Sequence, residues 1–347
     1  MSASLPTTAA LTTADLAAVP GEVMTRLRAA RTVLTVCHEH PEADALGSAL
    51  AHALIIESLG GRATAVCADP VPSMYDFMPG IERFRTDPDP DLDYDLIVVG
   101  DCGDLERVGR VLTEHAELFG RVPIIDIDHH ISNRGFGVVD WVDATAAATC
   151  EMTTLLACAM GVPLDVAGGQ LAASLIAGVV IDTANFQHPN TTPRTLRVAA
   201  ELLASGAPLF ESARALYRTK PNRQLRLFGL VLGRLRDELD GRIVWSTLTE
   251  ADYLAAGAGP QDTEGLIDLL SQSSTADIAV LLKQDGERTR ISVRTREGGV
   301  DATDLCGRFG GGGHARAAGA TVPTPIEEAP AVVLPEARRL LGVPTTS

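Results

Sequence analysis

Carboxylate and imidazole side chains follow the ends of four separate apolar runs in this sequence. They are His38, His40, Glu42 and Asp44 after the first run, Asp101 after the second, Asp128, His129 and His130 after the third, and Asp182 after the fourth. One aspartate at such a position is commonly a turn or capping residue, but four successive occurrences are difficult to explain by capping alone. Oxygen and nitrogen ligands of this kind suit Mn²⁺, Mg²⁺, Fe²⁺ or Zn²⁺, and the scattered cysteines argue against a thiolate zinc site.

The number of these potential ligands exceeds what a single cation needs. Two cations that share a bridging carboxylate would accommodate them. Such a pair can clamp a phosphate, lower the pKa of a bridging water and stabilise the charge that builds on an attacked phosphorus. The residue types therefore indicate a two-cation centre suited to phosphate chemistry.

The elements that must position these side chains alternate between short apolar runs and helical patterns. The expected strands lie within 31–40, 62–70, 93–103 and 121–130, and the expected helices lie at 44–60, 145–161, 167–181 and 193–205. The strands are continuously apolar, which is typical of a parallel sheet covered on both faces. This pattern predicts a doubly wound α/β domain, in which ligands bind at the carboxyl ends of the strands.

The second half of the chain has a different character. Residues 210–239 form a long amphipathic stretch that predicts a helical connector, and a glycine-rich segment follows at 307–319. Strands are expected at 241–249, 275–284 and 289–297, with helices at 263–272 and 328–341. The predicted organisation is therefore a mobile tail at 1–25, a metal-binding domain at 26–209, the connector, and a smaller α/β domain at 240–347.

The composition limits the classes of protein and of partner. The net charge is −16, and the first 210 residues hold 27 acidic but only 12 basic residues, which disfavours long duplex nucleic acid. No apolar stretch reaches the roughly 18 residues of a membrane span, and no secretory signal precedes the first helix. Six scattered cysteines suit a reducing, cytoplasmic environment. A homodimer is expected only because it is the commonest closed assembly.

Six ordered motifs resemble one known family over roughly residues 30–325. HEHPEADALGS, VVGDCGDLERVG, IDIDHHISNRGFG and GVVIDTANF are similar to the four motifs of the DHH phosphoesterases, and SVRTR and GRFGGGGHARAAG resemble the associated DHHA1 domain. The chain length is similar to the branch that contains oligoribonucleases, phosphatases of 3′-phosphoadenosine 5′-phosphate (pAp), and linear or cyclic dinucleotide phosphodiesterases. The single-strand DNA exonucleases of the superfamily are longer and need a basic channel.

The resemblance implies a role for each candidate ligand. His38, the residue at position 42 and Asp101 would hold one cation. Asp44, Asp101, His129 and Asp182 would hold the other, with Asp101 as the bridge. His130 would donate to an oxygen of the scissile phosphate, and Asp128 would orient an imidazole. Mn²⁺ is the expected cation, with Mg²⁺ or Co²⁺ as alternatives.

Glu42 departs from the family, which usually has aspartate at this position. The additional methylene moves the carboxylate by about one bond length, although metal ligands must lie within ~0.2 Å of their ideal distance. A working site is favoured, but a nucleotide-binding regulator with an impaired metal centre is an alternative. A second alternative is an inorganic polyphosphate or pyrophosphate hydrolase, against which the DHHA1-like segment argues.

The DHHA1-like segment would bind the substrate through Arg294, Gly311, Gly312, Gly313 and His314. Glycines let a backbone approach a ligand closely and present N–H groups to a phosphate, although a mobile loop is the other reading of such a run. Substrate would lie in a cleft between the domains. The expected reaction is hydrolysis of dinucleotides such as pApA, of very short RNA, of pAp or of cyclic di-AMP to 5′-mononucleotides.

Overall fold

The computed structural model describes residues 11–296 and 298–343. The chain divides into two compact units, residues 1–219 and residues 220–347. No helix in the described part of the chain is long and apolar enough to cross a membrane. Each unit has its own sheet and its own apolar core.

The first unit is built on a five-stranded sheet in which all neighbouring strands are parallel, in the order β2-β1-β3-β4-β5. The strands are β1 (Thr32–Val36), β2 (Arg62–Val66), β3 (Leu96–Gly100), β4 (Ile124–Asp128) and β5 (Val139–Val142). Every residue of β1, β3 and β4 is buried. The predicted doubly wound parallel sheet is therefore confirmed. Sequence analysis missed β5, a short edge strand in which only Trp141 is buried.

Helices cover both faces of this sheet. They are α1 (Thr13–Ala17), α2 (Gly21–Ala29), α3 (Ala43–Ser58), α4 (Arg110–Glu114), α5 (Ala116–Arg121), α6 (Thr149–Met160), α7 (Val166–Asp182), α8 (Pro193–Ala204) and α9 (Leu209–Ala213), followed by a π-helical turn at Arg214–Arg218. The start of α7 is kinked, because residues 167–169 have left-handed backbone angles. Regular helix therefore begins only after Gly169.

The predicted tail at 1–25 needs correction. Residues 1–10 lie outside the described residues, but residues 11–25 contain α1 and the beginning of α2. Thr12 and Asp15 form a capping box at the start of α1. The carboxylate of Asp15 also accepts two hydrogen bonds from the guanidinium of Arg197, at 2.8 and 2.9 Å. These contacts attach α1 to α8.

The helices α3 and α7 pack closely against each other, and two glycines permit this. A Cβ atom at Gly47 would lie 2.6 Å from the carbonyl oxygen of Ser174. A Cβ atom at Gly178 would lie 2.5 Å from Oδ1 of Asp44 and would also collide with the side chain of Cys150. Backbone packing in this helix pair therefore fixes the position of a candidate metal ligand.

The second unit contains a six-stranded mixed sheet in the order β10-β11-β9-β8-β7-β6, in which only β7 and β8 are parallel neighbours. Its strands are β6 (Arg236–Glu238), β7 (Ile243–Leu248), β8 (Ile278–Asp285), β9 (Arg288–Thr295), β10 (Gly312–His314) and β11 (Ala317–Val322). Its helices are α10 (Asn222–Leu232), α11 (Glu250–Ala256), α12 (Leu266–Ser271), α13 (Ala302–Gly307) and α14 (Ala329–Leu340). The predicted smaller C-terminal α/β domain is confirmed.

The stretch predicted as a connector, 210–239, is distributed over several elements. It contains most of α9, the π-helical turn, α10 and the edge strand β6. The apolar face of α10, with Leu227, Phe228 and Val231, is buried in the core of the second unit. The amphipathic pattern thus reflects packing of α10 within this unit, whose first residue is Lys220.

We expect Gly178→Ala to lower the free energy of unfolding by about 2 kcal/mol, because overpacking a close helix contact typically costs ~1–3 kcal/mol. Gly120→Ala is the matched control. Gly120 lies in α5 with open space where its Cβ would be, so alanine should leave stability unchanged or raise it by up to ~1 kcal/mol. Urea denaturation followed by circular dichroism would measure both, and equal effects would contradict the packing argument.

Candidate metal centre

The candidate ligands lie at one edge of the parallel sheet and at the termini of the helices beside it. His38 lies just past β1, Asp101 directly past β3, and His129 directly past β4. Because β1, β3 and β4 are parallel neighbours, their carboxyl ends meet at the same edge. Glu42 is the N-cap residue of α3, and Asp182 is the last residue of α7.

His38, Glu42 and Asp101 form the first group, and each offers a ligand atom within 4.8 Å of the others. Nδ1 of His38 donates a hydrogen bond to the carbonyl oxygen of Glu39 at 2.7 Å. Nε2 lies 3.6 Å from Oδ2 of Asp101. The first contact fixes the tautomer and leaves Nε2 free to bind a cation, which is a common arrangement for metal-binding histidines.

Asp44, His129 and Asp182 form the second group, within the same 4.8 Å limit. Nε2 of His129 lies 3.2 Å from Oδ2 of Asp182 and 3.4 Å from Oδ1 of Asp101. The two oxygens of Asp101 therefore face different imidazoles, Oδ2 towards His38 and Oδ1 towards His129. This geometry suits a carboxylate shared by two cations; the bridging role stays a prediction.

The backbone of Asp101 has a left-handed conformation, with φ of 58°. Few residues other than glycine adopt such an angle readily, and aspartate is among those that tolerate it. The amide of Asp101 still donates to the carbonyl oxygen of Ile127 at 3.0 Å. The chain therefore turns sharply straight after β3 while it remains hydrogen-bonded to β4, and this turn places the carboxylate at the sheet edge.

The N-terminus of α6 contributes contacts that sequence analysis missed. The carboxylate of Asp44 accepts hydrogen bonds from the amides of Thr149 and Cys150, at 2.6 and 2.8 Å. The hydroxyl of Thr149 donates to Oδ1 of Asp101 at 3.1 Å. The two residues that supply these donors lie more than 100 positions after Asp44, so no local spacing could have indicated them. These hydrogen bonds hold the carboxylates of two candidate ligands, Asp44 and Asp101, in place.

The local electrostatics of this cluster favour the binding of a cation. Burial, together with the nearby carboxylates of Asp101 and Asp44, raises the pKa of Glu42 to about 8. Burial likewise raises the pKa of Asp44 to about 6 and the pKa of Asp182 well above its usual range. Against the effect of burial, a hydrogen bond to Asp101 raises the pKa of His129 to about 9. Four carboxylates and two imidazoles with no thiolate among them fit divalent cations of the Mg²⁺ and Mn²⁺ type.

His130 differs from His129 in its contacts. Nδ1 of His130 donates to Oδ1 of Asp128 at 2.7 Å, and the side chain is 35% exposed. The carboxylate of Asp128 also accepts from the amide of His129 and from the side-chain amide of Asn133, both at 2.8 Å. The same amide of Asn133 donates to Asp126 at 2.8 Å. Asp128 therefore orients the His130 ring, and Asn133 is a supporting residue for which sequence analysis proposed no role.

The predicted substrate-binding residues lie in the second unit, where the second half of the glycine run belongs to a strand and the first half lies in the turn after α13. Gly312–His314 form β10, which pairs with β11. A Cβ atom at Gly313 would lie 2.5 Å from the carbonyl oxygen of Ala317, and one at Gly311 would collide with Gly319. The close approach of β11 thus leaves no room for a side chain at Gly311 or Gly313. The position of a Cβ at Gly312 is open.

Two of the expected phosphate donors, Arg294 and the amide of Gly311, are engaged within the unit, and so is the neighbouring amide of Gly310. The amides of Gly310 and Gly311 donate to the carbonyl oxygens of Gly307 and Cys306, at 3.1 and 3.0 Å. Nε of Arg294, on β9, donates to Oδ1 of Asp268 at 2.8 Å. A phosphate would therefore have to compete with Asp268 for this guanidinium, and it could not be held by the Gly310 or Gly311 amides.

Comparison with known proteins agrees with these features. Residues 32–183 match the family model described as the DHH family, N-terminal domain, and residues 243–340 match that of the DHHA1 domain. A Thermus thermophilus protein named bifunctional oligoribonuclease and PAP phosphatase NrnA is 35% identical over 285 residues, 82% of each chain. The Bacillus subtilis protein of the same name is 26% identical over 296 residues, 84% of this chain and 89% of that one.

The fold is also found in a solved structure. An exopolyphosphatase-related protein from Bacteroides fragilis superimposes with a TM-score of 0.81 at 23% identity, over 96% of this chain and 98% of the other. At this level of identity the comparison shows the fold alone.

We expect the melting temperature of the cation-free protein to fall between pH 7 and pH 9. A pKa raised by folding adds stability that is complete below the unfolded pKa and is lost as the pH rises through the folded one. Glu42, with its pKa raised from 4.5 to about 8, loses its contribution progressively up to about pH 8, and His129, with its pKa raised from 6.5 to about 9, loses its contribution between about pH 6.5 and pH 9, so stability is still falling across this window. The lowered pKa of Asp101 gives a contribution that stays constant above pH 7.

Differential scanning calorimetry in EDTA and in saturating Mg²⁺ would measure this effect. Mg²⁺ should remove the fall, because it pairs with the ionised carboxylates. Glu42→Gln should reduce the fall in EDTA, whereas Glu117→Gln, which changes an exposed residue of α5, should leave it unchanged. A melting temperature that is independent of pH in EDTA would contradict the proposed repulsion.

Proposed function

Because the chain belongs to the DHH phosphoesterase family and carries a DHHA1 domain, we propose that it hydrolyses very short oligoribonucleotides and pAp to 5′-mononucleotides. The observation that carries the proposal is the convergence of six ligands from separate segments at one sheet edge. They are His38, Glu42, Asp44, Asp101, His129 and Asp182. The names of the relatives supply the substrate class.

The proposed cofactor is a pair of divalent cations, with Mn²⁺ as the preferred ion. His38, Glu42 and Asp101 would hold one, and Asp44, Asp101, His129 and Asp182 the other. When bound, the pair supplies positive charge to a phosphoryl group and activates water for attack. The chain's own contribution is to hold these side chains in a buried cluster whose charge is balanced only when cations are present.

Glu42 is compatible with a working site. Its Oε1 accepts hydrogen bonds from the amides of Asp44 and Ala45, at 3.1 and 3.3 Å, and so caps α3. The longer side chain can cap the helix through one oxygen and keep the other for a cation. The capping contact places the Glu42 carboxylate within 4.8 Å of the ligand atoms of His38 and Asp101, which argues against the alternative of a regulator with an impaired centre.

His130 is the proposed proton donor to the substrate phosphate. Asp128 holds Nδ1, so Nε2 is the nitrogen that remains for a ligand. The partial exposure of the ring suits a residue that contacts substrate, whereas the buried Asp101 suits a residue that contacts cations. Arg294, Gly312, Gly313 and His314 are the proposed contacts to the rest of the nucleotide.

A product assay on pApA, pAp, cyclic di-AMP and RNA oligomers of graded length, with Mn²⁺, tests the proposed substrate class. We expect hydrolysis of the dinucleotide and rates that fall sharply with length, since the acidic first unit repels long polyanions. Asp101→Asn should abolish hydrolysis. Asp69→Asn, at a carboxylate that pairs with the exposed His40, is the control. A preference for long chains, or rapid hydrolysis of inorganic polyphosphate alone, would refute the proposal.

The two adjacent histidines should fail in different ways when each is replaced by glutamine. His130→Gln should lower kcat by about 10²–10⁴, the usual contribution of a general acid, while cation affinity is retained. His129→Gln should weaken cation binding as well, because it removes a ligand. Isothermal titration with Mn²⁺ would measure the cation affinity of each variant, and steady-state kinetics would measure its kcat. Equal loss of cation affinity in both variants would contradict the assigned roles.

A further inference from the structure

A cationic cavity of about 430 Å³ opens on the sheet of the second unit. Strands β8, β9 and β11 form its floor, and the end of α13 and the start of the glycine run form its wall. The side chains that matter for its chemistry are Lys283, Arg290, Ser292, Thr321 and Phe309. None of them belongs to the metal centre or to the nucleotide contacts proposed above.

Two cations face each other in this cavity without a partner. Lys283 on β8 and Arg290 on β9 are direct register partners in an antiparallel pair. Like charges in directly opposed positions destabilise a sheet. Within residues 11–296 and 298–343, neither side chain forms an ion pair or a side-chain hydrogen bond. The arrangement therefore costs stability, and apart from the nearby charge of Glu264, which favours the charged form of Lys283, no contact of these two side chains within this part of the chain offsets it.

The neighbouring arginines of the same strand are neutralised. Arg288 pairs with Asp285 at 3.4 Å, and Arg294 pairs with Asp268 at 2.8 Å. Burial and the positive charge of Arg290 lower the pKa of Lys283. An anion between Lys283 and Arg290 would remove both the repulsion and the desolvation penalty.

The remaining groups define which anion fits. Ser292 and Thr321 lie on the same sheet face as Arg290, because Ser292 is two residues along β9 and Thr321 is the register partner of Arg290 on β11. They add hydroxyl donors to the two cations. Phe309 also lines the cavity, and its side chain packs partly against the apolar core of the unit. Proteins bind single-stranded nucleotides by combining cations for the phosphates with aromatic rings for the bases.

We propose that this cavity is a second nucleotide subsite, in which Lys283 and Arg290 bind a phosphate and Phe309 contacts the attached nucleoside. Arg290 lies four residues before Arg294 on β9, about 13 Å along the strand at ~3.3 Å per residue. A mononucleotide at Arg294 leaves the cavity unused, whereas an oligonucleotide can reach it. The substrate class rests on the proposed function; the anion site itself does not.

The test is equilibrium binding of pApApA and of AMP to full-length protein carrying Asp101→Asn, which should prevent consumption of the ligand. Adding Lys283→Ala and Arg290→Ala should weaken pApApA binding at least tenfold, as expected for lost charge-assisted hydrogen bonds. AMP affinity should change less than twofold. The salt dependence of pApApA binding should become shallower by about one per removed cation. Arg288→Ala, on the same strand and paired with Asp285, is the matched control and should bind both ligands normally.

Inorganic tripolyphosphate and the variant Phe309→Leu separate a nucleotide subsite from a site for free phosphate. Phe309→Leu should weaken pApApA but not tripolyphosphate. If the double variant lost tripolyphosphate yet bound pApApA like its parent, the nucleotide assignment would be overturned. Normal binding of both ligands by the double variant would overturn the anion site itself. Melting temperatures no lower than the parent's would exclude misfolding, since the substitutions remove a repulsion.

Hydrolysis by the unmodified protein is measured separately, so the two proposals can fail independently. Loss of pApApA binding in the double variant supports the subsite even if Mn²⁺ elicits no hydrolysis. Hydrolysis of pApA together with unchanged binding in the double variant rejects the subsite and retains the proposed function.

Discussion

The repulsion among buried carboxylates at one edge of the parallel sheet is the constraint on which the rest of the first unit depends. Glu42, Asp44, Asp101 and Asp182 lie within a few ångströms of two imidazoles. In a buried environment such charges cannot all be ionised unless a cation compensates them. Asp101, which lies beside His38 and His129, has a lowered pKa, whereas the other three carboxyls have raised pKa values. The four carboxyls thus compete for the same positive charge.

The scaffold holds this unfavourable cluster in place with backbone contacts. The first amides of α6 hold Asp44, and the start of α3 holds Glu42. The glycine at position 178 lets α7 approach α3 closely enough for Asp182 to reach the same site. These contacts therefore oppose a local electrostatic cost, which is typical of sites where function and stability compete.

The second unit differs from the first in its balance of charge. Its acidic and basic residues are nearly balanced, and two of the arginines on β9, Arg288 and Arg294, are paired with aspartates. Unpaired cations at Lys283 and Arg290 stand out against this background. The first unit concentrates negative charge at its candidate metal centre, whereas the second places positive charge without an ion-pair partner in a cavity on its sheet.

The sequence by itself determined the parallel sheet, the order of its strands along the chain and the set of candidate ligands, because continuous apolar runs and charged residues at their ends are local patterns. It could not reveal Thr149, whose contact with Asp101 joins segments 48 residues apart, nor Asn133, whose role depends on the positions of two aspartates. The short strands β5, β6 and β10 were missed because pairing, and not local propensity, makes them strands.

The glycine run shows the same limit most clearly. Its composition indicated freedom to approach a phosphate, but two of its glycines are needed for close contact with β11, and two of its amides donate to carbonyl oxygens at the end of α13. Likewise, Lys283 and Arg290 are ordinary surface residues in the sequence, and only strand register makes them opposed. Residue types indicate which chemistry a segment can perform, whereas the packing of the whole chain determines which distant residues pair.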